Sequence, residues 1–260
     1  EMKNEWALIL GASTGHGASI AKSLALDGYG IIGFHFDRGP LKKEASVFCE
    51  ELSAINNNRT IFWNENAASQ DTIDNRIIEI KKLVGDNKIK LLMHSIAFGS
   101  TTNFFEPSPV RQNQMDMTLH VMANCIIYWT QALLKHNLIG SGTRILGLTS
   151  EGSYKAMSGY GPVGVAKAAL EAVVRQVGWE LGHLGITANT IQAGITPTRA
   201  LTKISDNWEE WVDKTKERNP MKRVTTPEDV AGVVSLLMDE KANFVNCSTI
   251  YCDGGEHRSL

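Results

Sequence analysis

Short apolar runs that alternate with longer amphipathic stretches constrain this chain more than any other feature. The apolar runs fall at 5–10, 30–36, 59–63, 89–95, 143–149, 187–192 and 248–252. Helical patterns occupy 15–27, 41–55, 71–84, 109–136, 161–183 and 227–238 between them. Strands of that length separated by helices predict βαβ units and a parallel sheet covered on both faces. Right-handed crossovers then imply an α/β doubly wound sheet. The last helix is predicted to start sharply, with Thr226 as cap, Pro227 in the first turn and Glu228 and Asp229 at its positive end. No repeat, low-complexity stretch or Pro/Gly/Ser linker divides the 260 residues. A single domain over 1–260 is therefore expected, and that length is ample for one large core.

Bulk properties exclude several function classes. The chain is 43% hydrophobic and 21% charged, with a formal net charge of −2. Nothing in that balance draws it to nucleic acid or to an anionic membrane. No apolar run approaches the roughly 20 residues of a membrane span. The first apolar run begins without a basic region and cleavage site, so no signal peptide is expected. Cys49, Cys125, Cys247 and Cys252 form no CxxC pair and no cluster with histidines. They read as free thiols in a reducing, cytoplasmic compartment, and no metal site is expected.

The first strand runs straight into Gly11-Ala12-Ser13-Thr14-Gly15-His16-Gly17. Glycines at such a turn let the backbone approach a pyrophosphate, and the following helix aims its N–H groups at that anion. Gly11, Ser13, Gly15, His16 and Gly17 are the candidate contacts. The alternative is a tight strand–helix turn without a ligand, with His16 as an exposed loop residue. Cofactor choice belongs at the end of the second strand, which reads Phe34-His35-Phe36-Asp37-Arg38. Asp37 would suit the free ribose 2′-hydroxyl of NADH, and Arg38 the 2′-phosphate of NADPH. Arg38, backed by Lys42 and Lys43, favours NADPH over NADH; otherwise both charges simply face water.

The second half carries Tyr160-Gly161-Pro162-Val163-Gly164-Val165-Ala166-Lys167. A seven-residue step is about two helical turns, so Tyr160 and Lys167 share one side of a helix. A nearby lysine is expected to lower the tyrosine pKa. The pair can then donate to an oxygen that becomes negative during hydride addition. The alternative is a surface Tyr and Lys on one amphipathic helix.

Loop, alternation and Tyr/Lys helix together resemble the short-chain dehydrogenase/reductases over nearly the whole chain, which implies a Rossmann-like fold. Most members of that family space Tyr and Lys four apart, and that place holds Val163. The seven-residue step resembles the enoyl-acyl-carrier-protein reductases. So do His94-Ser95-Ile96-Ala97-Phe98 after the fourth strand and Ala193-Gly194 after the sixth. The asparagine that many ketoreductases carry in the fourth helix falls at His120. By the same comparison, the acid that selects NAD falls near His35, with Asp37 past it. One place departs from the pattern: the second tyrosine of common bacterial enoyl reductases would stand at Ser150, while Tyr154 is only six residues before Tyr160. A serine there is similar to ketoreductases and to a divergent branch of enoyl reductases.

The resemblance implies reduction of a trans-2-enoyl thioester, carried on acyl carrier protein or CoA, in fatty-acid synthesis. Tyr160 would stabilise the thioester oxygen with help from Ser150, and Lys167 would hold the nicotinamide ribose and tune Tyr160. Asn66 would meet the adenine. Ser95, Ile96 and Ala97 would pass beneath the cofactor, and Ala193, Gly194, Ile195 and Thr196 would lie near its carboxamide. A helical loop, about 194–223, would cover the substrate. Its Trp208, Trp211 and Val212 would face the acyl chain or simply pack a surface helix. Its Lys203, Lys214, Lys216, Arg218, Lys222 and Arg223 would suit an acidic carrier protein or form a solvated face. Apolar residues on 109–136 (Val121, Met122, Ile126, Ile127, Trp129) and on 161–183 (Val173, Val174, Val177, Trp179) imply subunit contacts in a homotetramer. Two other readings stay open: a ketoreductase or alcohol dehydrogenase of this fold, and a catalytically dead nucleotide-binding regulator.

Overall fold

The structure is a computed structural model, and it describes residues 2–259. The strands are β1 (Trp6–Leu10), β2 (Gly30–His35), β3 (Thr60–Asn64), β4 (Ile89–His94), β5 (Arg144–Thr149), β6 (Thr187–Ala193) and β7 (Thr249–Cys252). They form one sheet in the order β3-β2-β1-β4-β5-β6-β7. Every neighbouring pair is parallel. The helices are α1 (Gly15–Leu26), α2 (Pro40–Ile55), α3 (Gln70–Val84), α4 (Gln112–Leu119), α5 (Cys125–Lys135), α6 (Gly161–Leu181), α7 (Arg199–Ile204), α8 (Trp208–Arg218) and α9 (Pro227–Met238). The doubly wound parallel sheet expected from the alternation is thus present, with element ends within a residue or so for most elements.

Successive side chains of a strand point to opposite faces, and the two cores follow that rule. From β1, Leu8 and Leu10 join Phe34 and Leu92 against Ile73, Ile77, Trp129, Leu170 and Val174 of α3, α5 and α6. Ala7 and Ile9 join Ile31, Leu91 and Met93 against Ile20, Leu24, Leu52, Val230 and Val234 of α1, α2 and α9. Both faces are buried, so the inner strands read as continuous apolar runs. α9 begins as expected: Thr226 Oγ accepts from the Asp229 N–H, and the Asp229 carboxylate accepts from the Thr226 N–H.

The predicted helix 109–136 differs in kind. It starts at Gln112 and is interrupted by a π-helical turn, His120–Asn124, between α4 and α5. Its apolar stripe was expected to face another subunit. Instead Val121, Met122, Ile126 and Trp129 are buried within the chain. Trp129 is held there by its indole N–H, which donates to the Ala67 carbonyl at 2.8 Å.

Candidate active site

Strand order reverses between β1 and β4, where the chain leaves the sheet centre in opposite directions, and ligands of open α/β sheets bind at such a crevice. A cleft of about 480 Å³ opens there, at the carboxyl ends of the strands. The glycine turn forms its floor. A Cβ on Gly11 would stand 2.4 Å from the Ser95 carbonyl oxygen, and one on Gly17 would stand 1.7 Å from the Gly11 carbonyl oxygen. The loop therefore needs both glycines to lie against β4 and to start α1 so close beneath it. No side chain caps the N-terminus of α1 and no acid occupies its first turn. Its N–H groups are left for an anion. His16 in that turn has a buried Nδ1 without a partner among the described residues. Burial, helped by the charge of Lys167, pulls His16 down to about 4, so it is neutral near pH 7.

Gly11, Ser13, Gly15, His16, Asp37, Asn66, Ser95, Ile96, Ala97, Ala193, Gly194, Ile195 and Thr196 all line the cleft, with Ser150, Tyr160 and Lys167. Two expected contacts do not. Gly17 is buried behind the wall, where its role is steric. Arg38 is exposed and outside the lining, with its guanidinium over the Phe36 ring at 6.0 Å. The carboxylate of Asp37 turns into the cleft in its place. It accepts from Ser13 Oγ at 2.7 Å and from His35 Nδ1 at 2.9 Å. This end of the cleft fits a dinucleotide: a backbone cradle only glycine allows, a free helix N-terminus and a carboxylate just past the end of β2.

At the other end, Tyr160 caps α6 without a capping hydrogen bond and is buried. Its hydroxyl lies 3.1 Å from Ser150 Oγ. Lys167, two turns on, is also buried and donates from Nζ to the Leu148 carbonyl at 2.7 Å. The expected lowering of the Tyr160 pKa is not found. Burial raises it, with the Ser150 hydrogen bond opposing, and Lys167 is not among the influences. The physical reason is the partner each chose: the ammonium is spent on a backbone carbonyl and the phenol on a serine. Burial lowers Lys167 to about 8, against the pull of Glu171. Tyr154, the other tyrosine nearby, is 54% exposed, accepts from Gln192 Nε2 and lies outside the lining.

Apolar side chains complete this end: Phe98, Met117, Met157, Leu201, Ile204 and Trp211. Leu201, Ile204 and Trp211 come from α7 and α8, the two helices of segment 194–223. Within that segment, Val212 and Trp208 pack with Leu201 and Val224 in a small cluster of their own. Of the basic residues there, Arg199 and Lys203 reach the lining. His94 is fully buried: Nε2 donates to the Val121 carbonyl at 2.9 Å, and Nδ1 has no partner among the described residues. His120 donates from Nε2 to the Ala68 carbonyl at 2.6 Å and does not line the cleft. Sequence reasoning missed Glu256. This buried carboxylate lines the cleft and accepts from the Ile195 N–H at 3.2 Å. Its burial raises its pKa. Nothing in the C-terminal tail signals it.

A family described as enoyl-(acyl carrier protein) reductase matches residues 11–257. The chain belongs to that family of the short-chain dehydrogenase/reductases. It is an oxidoreductase by that membership. An NADH-dependent enoyl-[acyl-carrier-protein] reductase of Rhizobium meliloti is 28% identical over 98% of this chain and 92% of its own length. A 3-oxoacyl-[acyl-carrier-protein] reductase of Staphylococcus epidermidis is 26% identical over 97% of this chain and 98% of its own. The fold is similar to the crystal structure of the enoyl-(acyl-carrier-protein) reductase of Anaplasma phagocytophilum in complex with NAD. That pair has a TM-score of 0.83 and 22% identity, with 99% of this chain and 93% of the other covered.

Proposed function

We propose that the chain reduces the carbon–carbon double bond of a trans-2-enoyl thioester, with NADH as cofactor, in fatty-acid synthesis. The observation that carries the reading is the partnering of Tyr160: a buried phenol bonded to Ser150, while Lys167 bonds the Leu148 carbonyl. A phenol with a raised pKa keeps its proton near neutrality and acts as a hydrogen-bond donor. That suits an enolate oxygen, which needs stabilisation more than it needs a proton from this group.

When bound, a nicotinamide cofactor supplies hydride to the β-carbon. Gly11, Ser13, Gly15 and His16 would hold its pyrophosphate side, Asn66 its adenine side, and Ser95 to Ala97 and Ala193 to Thr196 its nicotinamide side. Asp37 would accept the ribose 2′-hydroxyl, and the exposed position of Arg38 supports NADH over the NADPH that its charge suggests. Lys167 would exchange the Leu148 carbonyl for a ribose hydroxyl. Tyr160 and Ser150 meet the charge that develops on the thioester oxygen. The apolar wall from Phe98 to Trp211 accepts the acyl chain and excludes water. Helices α7 and α8 cover the substrate, and an acyl carrier protein is the proposed donor. We also propose a homotetramer.

A second reading, ketone reduction, is favoured by the similarity to the staphylococcal ketoreductase. The test supplies crotonyl and acetoacetyl thioesters with NADH and with NADPH. Oxidation of NADH with the crotonyl thioester is expected. Turnover confined to the acetoacetyl thioester overturns the reading in favour of the second.

A further inference from the structure

Asp37 stands two residues beyond the place where the ribose-binding acid was expected, and that place holds His35. The structure explains how the carboxylate nevertheless reaches the cleft. Asn64, at the end of β3, grips the Asp37 backbone from both sides. Its Oδ1 accepts from the Asp37 N–H at 2.8 Å, and its Nδ2 donates to the Asp37 carbonyl at 3.1 Å. This folds the chain back over the strand end. The side chain is then fixed by two donors on one oxygen: Ser13 Oγ at 2.7 Å and His35 Nδ1 at 2.9 Å, both to Oδ2. A carboxylate only accepts, so His35 carries its proton on Nδ1. Oδ1 has no partner among the described residues and is the atom left for a ligand. His35 is 8% exposed and its ring is braced against Phe62 at 6.0 Å.

We propose that His35 is the positioning residue that sets cofactor selectivity, by locking the Asp37 carboxylate toward the ribose 2′ position. The inference rests on the NADH reading above. A charge-assisted hydrogen bond from a 2′-hydroxyl to the fixed carboxylate favours NADH. A 2′-phosphate at the same place meets a like charge that cannot swing away, so rejection is built in as repulsion. Without the His35 donor, Ser13 alone holds Oδ2. The carboxylate can then rotate toward solvent beside Arg38, and both halves of the discrimination weaken.

The experiment measures binding of ADP-ribose and of 2′-phospho-ADP-ribose by calorimetry, which needs neither substrate nor turnover. The KM values for NADH and NADPH are measured alongside. The variant is His35→Phe, which keeps a ring against Phe62 and removes the donor. The wild type is expected to bind ADP-ribose the more tightly. In His35→Phe, ADP-ribose is expected to weaken about tenfold, the loss of one charge-assisted hydrogen bond, and the preference over the phosphorylated probe narrows. His35→Asn, whose Nδ2 can stand where Nδ1 stood, restores the preference and covers the case in which the phenylalanine variant does not fold. A folded His35→Phe with the wild-type preference overturns the proposal, as does a His35→Asn that behaves like a variant without a donor. A wild type that prefers the phosphorylated probe overturns the NADH reading itself. If His35→Phe then loses that probe, His35 is a phosphate ligand instead.

Discussion

Tyr160 and Lys167 lie on one helix, yet each is controlled by a different neighbour, and that separation makes their roles testable one at a time. Tyr160→Phe removes the donor proposed to meet the developing oxyanion. A drop in kcat of about a hundredfold is expected with crotonyl thioester. Ser150→Ala leaves the phenol in place and should cost about tenfold. Both are read from the loss of NADH absorbance, and equal losses would mean that the two hydroxyls act as one unit. Lys167 makes a prediction about stability. Its pKa falls from 10.5 to about 8 in the fold. Below about pH 8 the ammonium is charged in both states, and the fold carries the full cost of burying it. Between about 8 and 10.5 the unfolded chain holds the extra proton, so the free energy of unfolding rises with pH. Lys167→Met lacks this dependence. Urea unfolding at pH 7 and pH 10 should therefore show the wild type gaining on the variant as pH rises. A constant difference would refute the buried charge.

Elements were legible in the sequence where a local rule governs them. Apolar runs alternating with helical patterns placed all seven strands within a residue or so, and the glycine turn announced its own steric need. The cap of α9 belongs to the same class and carries a prediction. Thr226→Ala should cost about 1 kcal/mol, read as a shift in the urea midpoint. Asp229 sits in the same cap and pairs with Arg223. The hydrogen bond from Arg223 does most to hold its carboxyl down to about 2, from 3.8. Its contribution is complete above about pH 4 and is lost as pH falls through 2. Asp229→Asn should therefore differ most from the wild type above pH 4, with the gap closing on acidification. What was illegible depends on contacts far apart in the chain. The π-helical turn at His120–Asn124 has no composition signature, because its residues fit an α-helix as well as a π turn. The raised pKa of Tyr160 follows from its burial, while Leu148 and Ser150 claim the groups that spacing alone would pair. Glu256 enters the cleft only because β7 lies beside β6 and brings the tail under Ile195. The charge of Arg38 was visible, but the grip of Asn64 on the Asp37 backbone was not.

At the scale of the whole molecule, the two large cores lie on opposite faces of the sheet, and α7 and α8 rest on a separate cluster of Leu201, Val212 and Val224. Two helices with their own small core can shift without disturbing the sheet, as the substrate cover proposed for them has to. The apolar surface that remains bears on assembly. Most of the stripe once expected to join subunits is internal. Trp179 on α6 is the exception at 75% exposed, and Phe244 is wholly exposed. Asn246 Nδ2 donates to the Gly178 carbonyl at 2.9 Å, which ties the segment bearing Phe244 to the helical turn bearing Trp179. Large exposed apolar side chains on two linked segments are the kind of surface that a second copy covers, and covering it again by symmetry closes an oligomer. Light scattering of the purified chain should give the mass of a homotetramer. Trp179→Glu places a charge in the contact, so a smaller species with unchanged far-ultraviolet circular dichroism is expected. A monomeric wild type at micromolar concentration would refute the assembly and leave the patch to some other partner.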